Sequence, residues 1–185
     1  MPNGARAVSA AERAAAIVVM GVSGCGKSTV AAALAERLGG LYADADSLHS
    51  EEALAKMAAG TPLTDQDRAP WLERVAQLIE RETRGRTPAV VACSALRRRY
   101  RDVLRTHSGG EVFFVHLSGS FEVLSQRMAA RTGHFMPPAL LESQLNALEP
   151  LETDEAGAVV DIDDTVDDVV ARAFAAVVDH FGDRG

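Results

Sequence analysis

The chain has 185 residues, a mass of 19.6 kDa and a formal net charge of -7, with 47% apolar and 24% charged residues. That length reads as one domain with a substantial core, and the acidic balance excludes a nucleic-acid coat or an anionic membrane as partner. Two cysteines, Cys25 and Cys93, in unlike contexts exclude a disulfide scaffold, and no apolar run reaches the roughly 18 residues of a transmembrane helix.

Residues 1–13 are small, polar and aperiodic and read as a flexible tail to a domain over 14–185. Ala16 to Met20 is a continuous apolar run, hence a buried strand, ending at a glycine loop. Val30 to Leu38 is helical and stops at Gly39-Gly40; Leu41 to Ala43 is a short strand running into Asp44-Ala45-Asp46. Helices follow over Glu51 to Ala59 and Arg68 to Thr83, the second with Leu72, Val75, Leu78 and Ile79 on one stripe. Trp71, on the same helix, reads as core or as a pocket wall. Ala89 to Cys93 and Glu111 to Leu117 are further apolar strands, separated by a basic helix over Leu96 to Thr106. Phe121 to Ala130 is helical, Thr132 to Pro138 a Gly/Pro loop, Ala139 to Leu148 helical, Ala158 to Ile162 a last strand and Val166 to Phe181 a last helix. Continuous apolar strands alternating with helices predict an α/β fold, a doubly wound parallel sheet with helices on both faces.

Charge is segregated. Between Arg131 and Arg172 lie ten carboxylates and neither Lys nor Arg, leaving the rest of the chain at +3. The acidic stretch is expected on a face away from any anion site, serving solubility.

Gly21-Val22-Ser23-Gly24-Cys25-Gly26-Lys27-Ser28 fits the phosphate-loop pattern G-x-x-x-x-G-K-[ST], with a strand before it and a helix after. Glycines let backbone amides turn inward around phosphates, and the following helix adds its positive end. Nucleotide contacts are therefore expected from Gly21, Val22, Ser23, Gly24, Cys25, Gly26, Lys27, Ser28 and Thr29, with Lys27 on the β- and γ-phosphates and the Ser28 hydroxyl on Mg²⁺. A helix start can lower a thiol pKa, so oxidation sensitivity of Cys25 is a hypothesis that the sequence leaves open.

The rest of the chain narrows the class. No Asn-Lys-x-Asp is present to read a guanine base, and the strands 89–93 and 111–117 end at Ser94 and Ser118 rather than at a second metal-binding Asp. A small kinase remains, with an acceptor-free ATP-binding switch as the rival. Asp44 and Asp46 stand at a strand end beside the loop, suited to hold the metal shell (Asp44) and to orient an acceptor hydroxyl and take its proton (Asp46). Arg127 and Arg131 share a helix face ahead of Gly133 and two prolines, which reads as a lid over roughly 127–140 whose arginines close on phosphates. Arg97, Arg98, Arg99 and Arg101 crowd a helix start, where each opposes the helix dipole by about 0.3–1 kcal/mol, a cost that an anionic ligand could offset.

Together these segments resemble the small phosphate-loop gluconokinases. The resemblance runs over roughly residues 16–178: Gly21 to Ser28, Asp44 to His49, Lys56-Met57, Gly60 to Leu72, Cys93 to Arg98, Tyr100 to Asp102 and Arg131 to Phe135, with Pro62 to Leu72 and Cys93 to Leu96 the most specific. It implies a fold similar to shikimate and nucleoside monophosphate kinases, ATP and Mg²⁺ as cofactors, transfer of the γ-phosphate to the 6-hydroxyl of D-gluconate and a homodimer; the two cysteines in unlike contexts make a reducing cytoplasm the default location. For an anionic sugar acid, Arg68, His49, Arg97, Arg98 and Arg101 are candidate donors, Asp46 the acceptor-side carboxylate and His134 a cover over the phosphates; Lys27, Asp46 and Arg131 are the candidate catalytic residues. Two departures stand out. Ala53 occupies a position where the family often has Asn, and Arg97 and Arg98 replace lysines, which changes hydrogen-bond geometry. A sibling kinase acting on shikimate, a nucleotide or another polyol stays open at this point.

Overall fold

A computed structural model describes residues 14–130 and 138–182. The tail over 1–13 and most of the expected lid, residues 131–137, lie outside the described residues. The elements are β1 (Ala16–Met20), α1 (Lys27–Leu38), β2 (Leu41–Asp44), α2 (Glu51–Ala58), α3 (Asp65–Arg84), β3 (Ala89–Ala92), α4 (Arg98–His107), β4 (Val112–Ser118), α5 (Phe121–Ala129), α6 (Pro138–Ala147), β5 (Gly157–Asp161) and α7 (Val166–Gly182). Every expected element is present. One was not expected, a 3-10 turn over Ala45–Leu48.

Helix starts follow local capping chemistry. α3 begins at Asp65 rather than at Arg68 because Thr64 caps it: Thr64 Oγ1 accepts from the Asp67 amide at 3.2 Å, and the Asp67 carboxylate accepts from the Thr64 amide at 2.8 Å. Ser50 and Ser120 cap α2 and α5 with a single bond each, the serine side chain accepting from the Ala53 and Val123 amides. α4 has no side-chain cap of its own. Its Arg98 amide instead donates to the carboxylate of Glu149, fifty-one positions along the chain.

The five strands are all parallel in the order β2-β3-β1-β4-β5, with Ala16 in register with both Ala89 and Val112. Successive strand side chains alternate between faces. Ile17, Val19, Val90, Phe113 and Val115 pack with Val30 and Leu34 of α1 and Val170 and Val177 of α7. Val18, Met20, Val91 and Phe114 pack with Trp71, Val75 and Ile79 of α3 and Leu104 of α4. Both faces are covered over β1, β3 and β4, so those strands read as unbroken apolar runs, while the edge strands β2 and β5 are partly exposed; each large side chain buried in this way contributes about 1.5–3 kcal/mol. In a parallel sheet all carboxyl ends lie at one edge. β1 sits at its centre, and the chain winds outward from it in both directions, so the loops after β1, β2 and β3 converge on one crevice. A hydrogen bond from the Gly21 amide to the Ser94 carbonyl, 3.3 Å, ties the first of these loops to the third.

Candidate active site

The loop after β1 is shaped by glycine where nothing else fits. Gly21 has φ +142°, and a Cβ there would stand 2.7 Å from the Leu117 carbonyl oxygen and 2.8 Å from the Cys25 sulfur. Gly26, at φ +94°, ends the loop and opens α1 with no side-chain cap on the first-turn amides, the arrangement that receives an anion. Lys27 Nζ donates to the Val22 carbonyl at 3.0 Å, which folds the ammonium back over the loop. The Ser23 amide donates to Gln144 Oε1 of α6 at 2.7 Å, a partner the sequence reading did not find.

At Cys25 the structure decides what the sequence leaves open. Its thiol is buried, and burial pushes its pKa up; the nearby Lys27 and its amide only partly oppose this. A helix start lowers a thiol pKa only where the thiolate remains solvated.

Asp44 and Asp46 share one short segment. Asp44 Oδ2 accepts from Ser28 Oγ at 3.1 Å, and Asp44 Oδ1 accepts from the Asp46 amide at 3.0 Å, so Asp44 links the start of α1 to the 3-10 turn. A hydroxyl and a carboxylate side by side are hard oxygen donors, suited to Mg²⁺, which takes one or two protein ligands and keeps waters and phosphates for the rest. Among the described residues no cluster of three or more His, Cys, Asp or Glu could hold a metal. The Ser28 hydroxyl and Asp44 carboxylate, as an oxygen donor pair, fit Mg²⁺.

The Asp46 side chain is 86% exposed at the mouth of the crevice. Its backbone is pinned from below. Trp71 Nε1 donates to the Ala45 carbonyl at 2.6 Å, and Arg74 Nε donates to the Leu48 carbonyl at 2.8 Å. Trp71 is thus a core residue that positions the acidic turn. The His49 ring stacks on Trp71, 4.4 Å between centroids at 11°, and its Nε2 stands 4.0 Å from Asp46 Oδ1. Burial holds the His49 pKa below the usual imidazole value although Asp46 pulls the other way, and its buried Nδ1 has no partner among the described residues.

Arg68, on α3, reaches toward α4: one guanidinium nitrogen donates to the Leu63 carbonyl at 2.6 Å and stands 3.4 Å from the Tyr100 hydroxyl. Arg97 precedes α4, and its guanidinium has no partner among the described residues. Arg127 of α5 donates to the Ile162 carbonyl, and its other terminal nitrogen would be 3.9 Å from a Cβ on Gly26, which puts it beside the phosphate loop. Arg131 and His134 lie outside the described residues.

A model described as an AAA domain matches residues 17–151. A probable gluconokinase of Mus musculus is 42% identical over 177 residues, 87% of this chain and 96% of that protein. This chain belongs to the gluconokinase family. The gluconokinase of Gluconobacter oxydans (strain 621H) is 47% identical over 141 residues, covering 75% of this chain and 78% of its own. The crystal structure of a gluconokinase from Sinorhizobium meliloti 1021 is 42% identical, with a TM-score of 0.80 over 91% of this chain and 94% of that one. The phosphate-loop kinase fold expected from the sequence stands.

In this gluconokinase family member two of the expected substrate arginines have other partners. Arg101 is 0% exposed. It makes a bidentate pair with Glu155 (2.6 and 2.9 Å) and donates to the carbonyls of Ala95, Leu96, Glu149 and Pro150. Every donor it has is engaged inside the protein, so none is left for a ligand. Arg98 makes a bidentate pair with Asp154 (2.8 and 2.6 Å) and reaches Asp102 and Glu152; Asp154 and Asp102, with Glu155 nearby, raise its pKa above the ordinary value. Arg99 pairs with Asp65 at 2.7 Å. The cost of cations at a helix start is real, and carboxylates of the protein offset much of it. The acidic stretch accordingly does not stand apart as a solvating face: Glu149, Glu152, Asp154 and Glu155 are the counter-ions and acceptors of α4. Arg101, held by Glu155, in turn grips the strained Ser94–Arg97 segment, where Ala95 has φ +43° and its carbonyl accepts from the Arg101 guanidinium.

Proposed function

We propose that this chain transfers the γ-phosphate of ATP to the 6-hydroxyl of D-gluconate, giving 6-phospho-D-gluconate and ADP. The observation that carries the reading is the run Ser28–Asp44–Asp46, which sets a solvent-facing carboxylate beside the phosphate loop of a gluconokinase-family chain.

The phosphate-loop amides other than that of Ser23, which is bonded to Gln144, hold the β- and γ-phosphates together with Lys27, and Arg127 flanks the nucleotide. Asp46 orients the acceptor hydroxyl in line with the γ-phosphorus and takes its proton late, because such transition states are loose. The proton passes to Asp46, the new P–O bond forms to the sugar oxygen, and the β–γ bridging oxygen leaves with ADP. Ser28 and Asp44 would hold Mg²⁺, which neutralises charge on the transferring phosphoryl oxygens when bound. Arg131 spreads transition-state charge and His134 covers the phosphates as the lid closes. His49, Arg68 and Arg97 bind the gluconate, two cations for its carboxylate and a neutral imidazole for a hydroxyl. Arg97 supports this best, since its guanidinium lacks a partner among the described residues. A homodimer, resting on the family resemblance, and a cytoplasmic location, resting on the two free cysteines, complete the proposal; light scattering in solution tests the first.

The test is ADP release with ATP against D-gluconate, shikimate and nucleoside monophosphates. Release with gluconate alone supports the reading. Release with another acceptor, or ATP binding with none, overturns it.

A further inference from the structure

The peptide between Val22 and Ser23 is held on both sides. Its carbonyl accepts from the Lys27 ammonium at 3.0 Å, and its N–H donates to Gln144 Oε1 at 2.7 Å. The carbonyl and N–H of one peptide point in opposite directions. Fixing the N–H therefore fixes where the carbonyl points, and that carbonyl is what anchors Lys27.

Gln144 is well placed for this. It comes from α6, 121 residues along the chain, and α6 is itself seated in the core through Leu141. Just beyond the helix, the Glu149 amide donates to the Leu96 carbonyl at 2.7 Å, and Arg101 donates to the carbonyls of Glu149 and Pro150. The segment from Gln144 to Pro150 thus joins the phosphate loop at one end to the segment carrying Arg97 at the other. A half-buried amide oxygen on a helix tied down at both ends is a fixed acceptor, unlike water.

We infer that Gln144 is a positioning residue for phosphoryl transfer: by accepting from the Ser23 amide it sets the Val22–Ser23 peptide plane and, through the Val22 carbonyl, the place of the Lys27 ammonium. The inference rests on the assignment of Lys27 to the phosphates. Gln144 acts on the rate through Lys27 and needs no contact with either substrate.

The test compares Gln144→Leu, which keeps size and removes the acceptor, with Gln144→Glu, which keeps an acceptor oxygen and adds charge. Lys27→Met is measured in parallel, and melting midpoints are recorded for all. Gln144→Leu should lower kcat about tenfold at saturating substrates, with the KM for gluconate within about twofold of wild type. Gln144→Glu should recover most of that kcat while raising the KM for ATP, because its charge faces the phosphates. If the leucine variant does not fold, Gln144→Ala takes its place in the same comparison. A leucine or alanine variant with wild-type kcat, whatever its melting midpoint, overturns the inference. So do leucine and glutamate variants that are equally slow at saturating ATP, since the defect would then lie in helix packing. The arms separate two failures: a Lys27→Met enzyme that still turns over rejects the role of Lys27 itself, whereas an inactive Lys27→Met beside an unaffected Gln144→Leu rejects only the part given to Gln144.

Discussion

Replacing Arg101 by Met removes the cation of a fully buried ion pair. Both side chains of the pair are 0% exposed, so no water can take over. The substitution removes the bidentate partner of the Glu155 carboxylate, leaving it only Arg98 Nη1 at 3.7 Å, and strips the carbonyls of Ala95, Glu149 and Pro150 of the donor that Arg101 supplied, while that of Leu96 keeps the Glu149 amide. Glu155 is now held below its usual pKa: burial opposes its charge, and the hydrogen bonds from Arg101 and the Glu152 amide outweigh that. Breaking such a pair from one side costs about 3–5 kcal/mol. At roughly 2–4 °C per kcal/mol for a chain of this size, the melting midpoint should fall by roughly 6–20 °C. Thermal or urea denaturation measures it, and the gluconate KM is taken well below the transition. Restoring neutrality with Arg101→Met and Glu155→Leu together should recover much of the loss, because the uncompensated charge is gone. An Arg101→Met enzyme as stable as wild type but with a gluconate KM raised manyfold would refute the structural reading and return Arg101 to the substrate.

Two further outcomes follow from titration. The hydrogen bonds from Lys56 and Thr64 hold Asp67 down to about 2, against its usual 3.8. A depressed carboxyl pKa contributes stability that is fully present above the unfolded value and lost as pH falls through the folded one, so the α2–α3 corner should weaken between about pH 4 and pH 2. Asp67→Asn should flatten that part of a melting-midpoint profile; parallel profiles would contradict it. For Cys25, burial and a raised pKa make the thiol slow. Peroxide at neutral pH should leave activity unchanged and iodoacetamide should label Cys25 only on unfolding, whereas rapid inactivation protected by ATP would contradict it.

Features built from neighbouring residues were legible in the sequence. The strand and helix run of β1 and α1, the glycine pattern between them and the Asp44–Asp46 pair are set by local sterics and hydrogen bonds, and the structure keeps them in the expected places. What failed depended on partners far along the chain. Arg98 and Arg101 looked like ligand-seeking cations because their carboxylates, Glu152, Asp154 and Glu155, lie some fifty positions away in a stretch that looked merely acidic. Gln144 carried no signal: a lone glutamine on a helix matches no motif, and only packing brings it to Ser23. The question left open at Cys25 is answered by burial, of which a rule about helix starts says nothing: the thiol lies in the core, and burial raises its pKa. The ambiguity over Trp71 was likewise resolvable only by the Ala45 carbonyl it donates to.

The central claim is that the carboxylate beside the phosphate loop serves an acceptor hydroxyl. Turnover of Asp46→Asn at saturating ATP and D-gluconate tests it most directly. Asp46 is exposed and its amide, not its side chain, bonds to Asp44, so the substitution should leave the fold and nucleotide binding intact. The account predicts a kcat lower by about a hundredfold or more, the usual loss when a general base is removed. Turnover near wild type would contradict it.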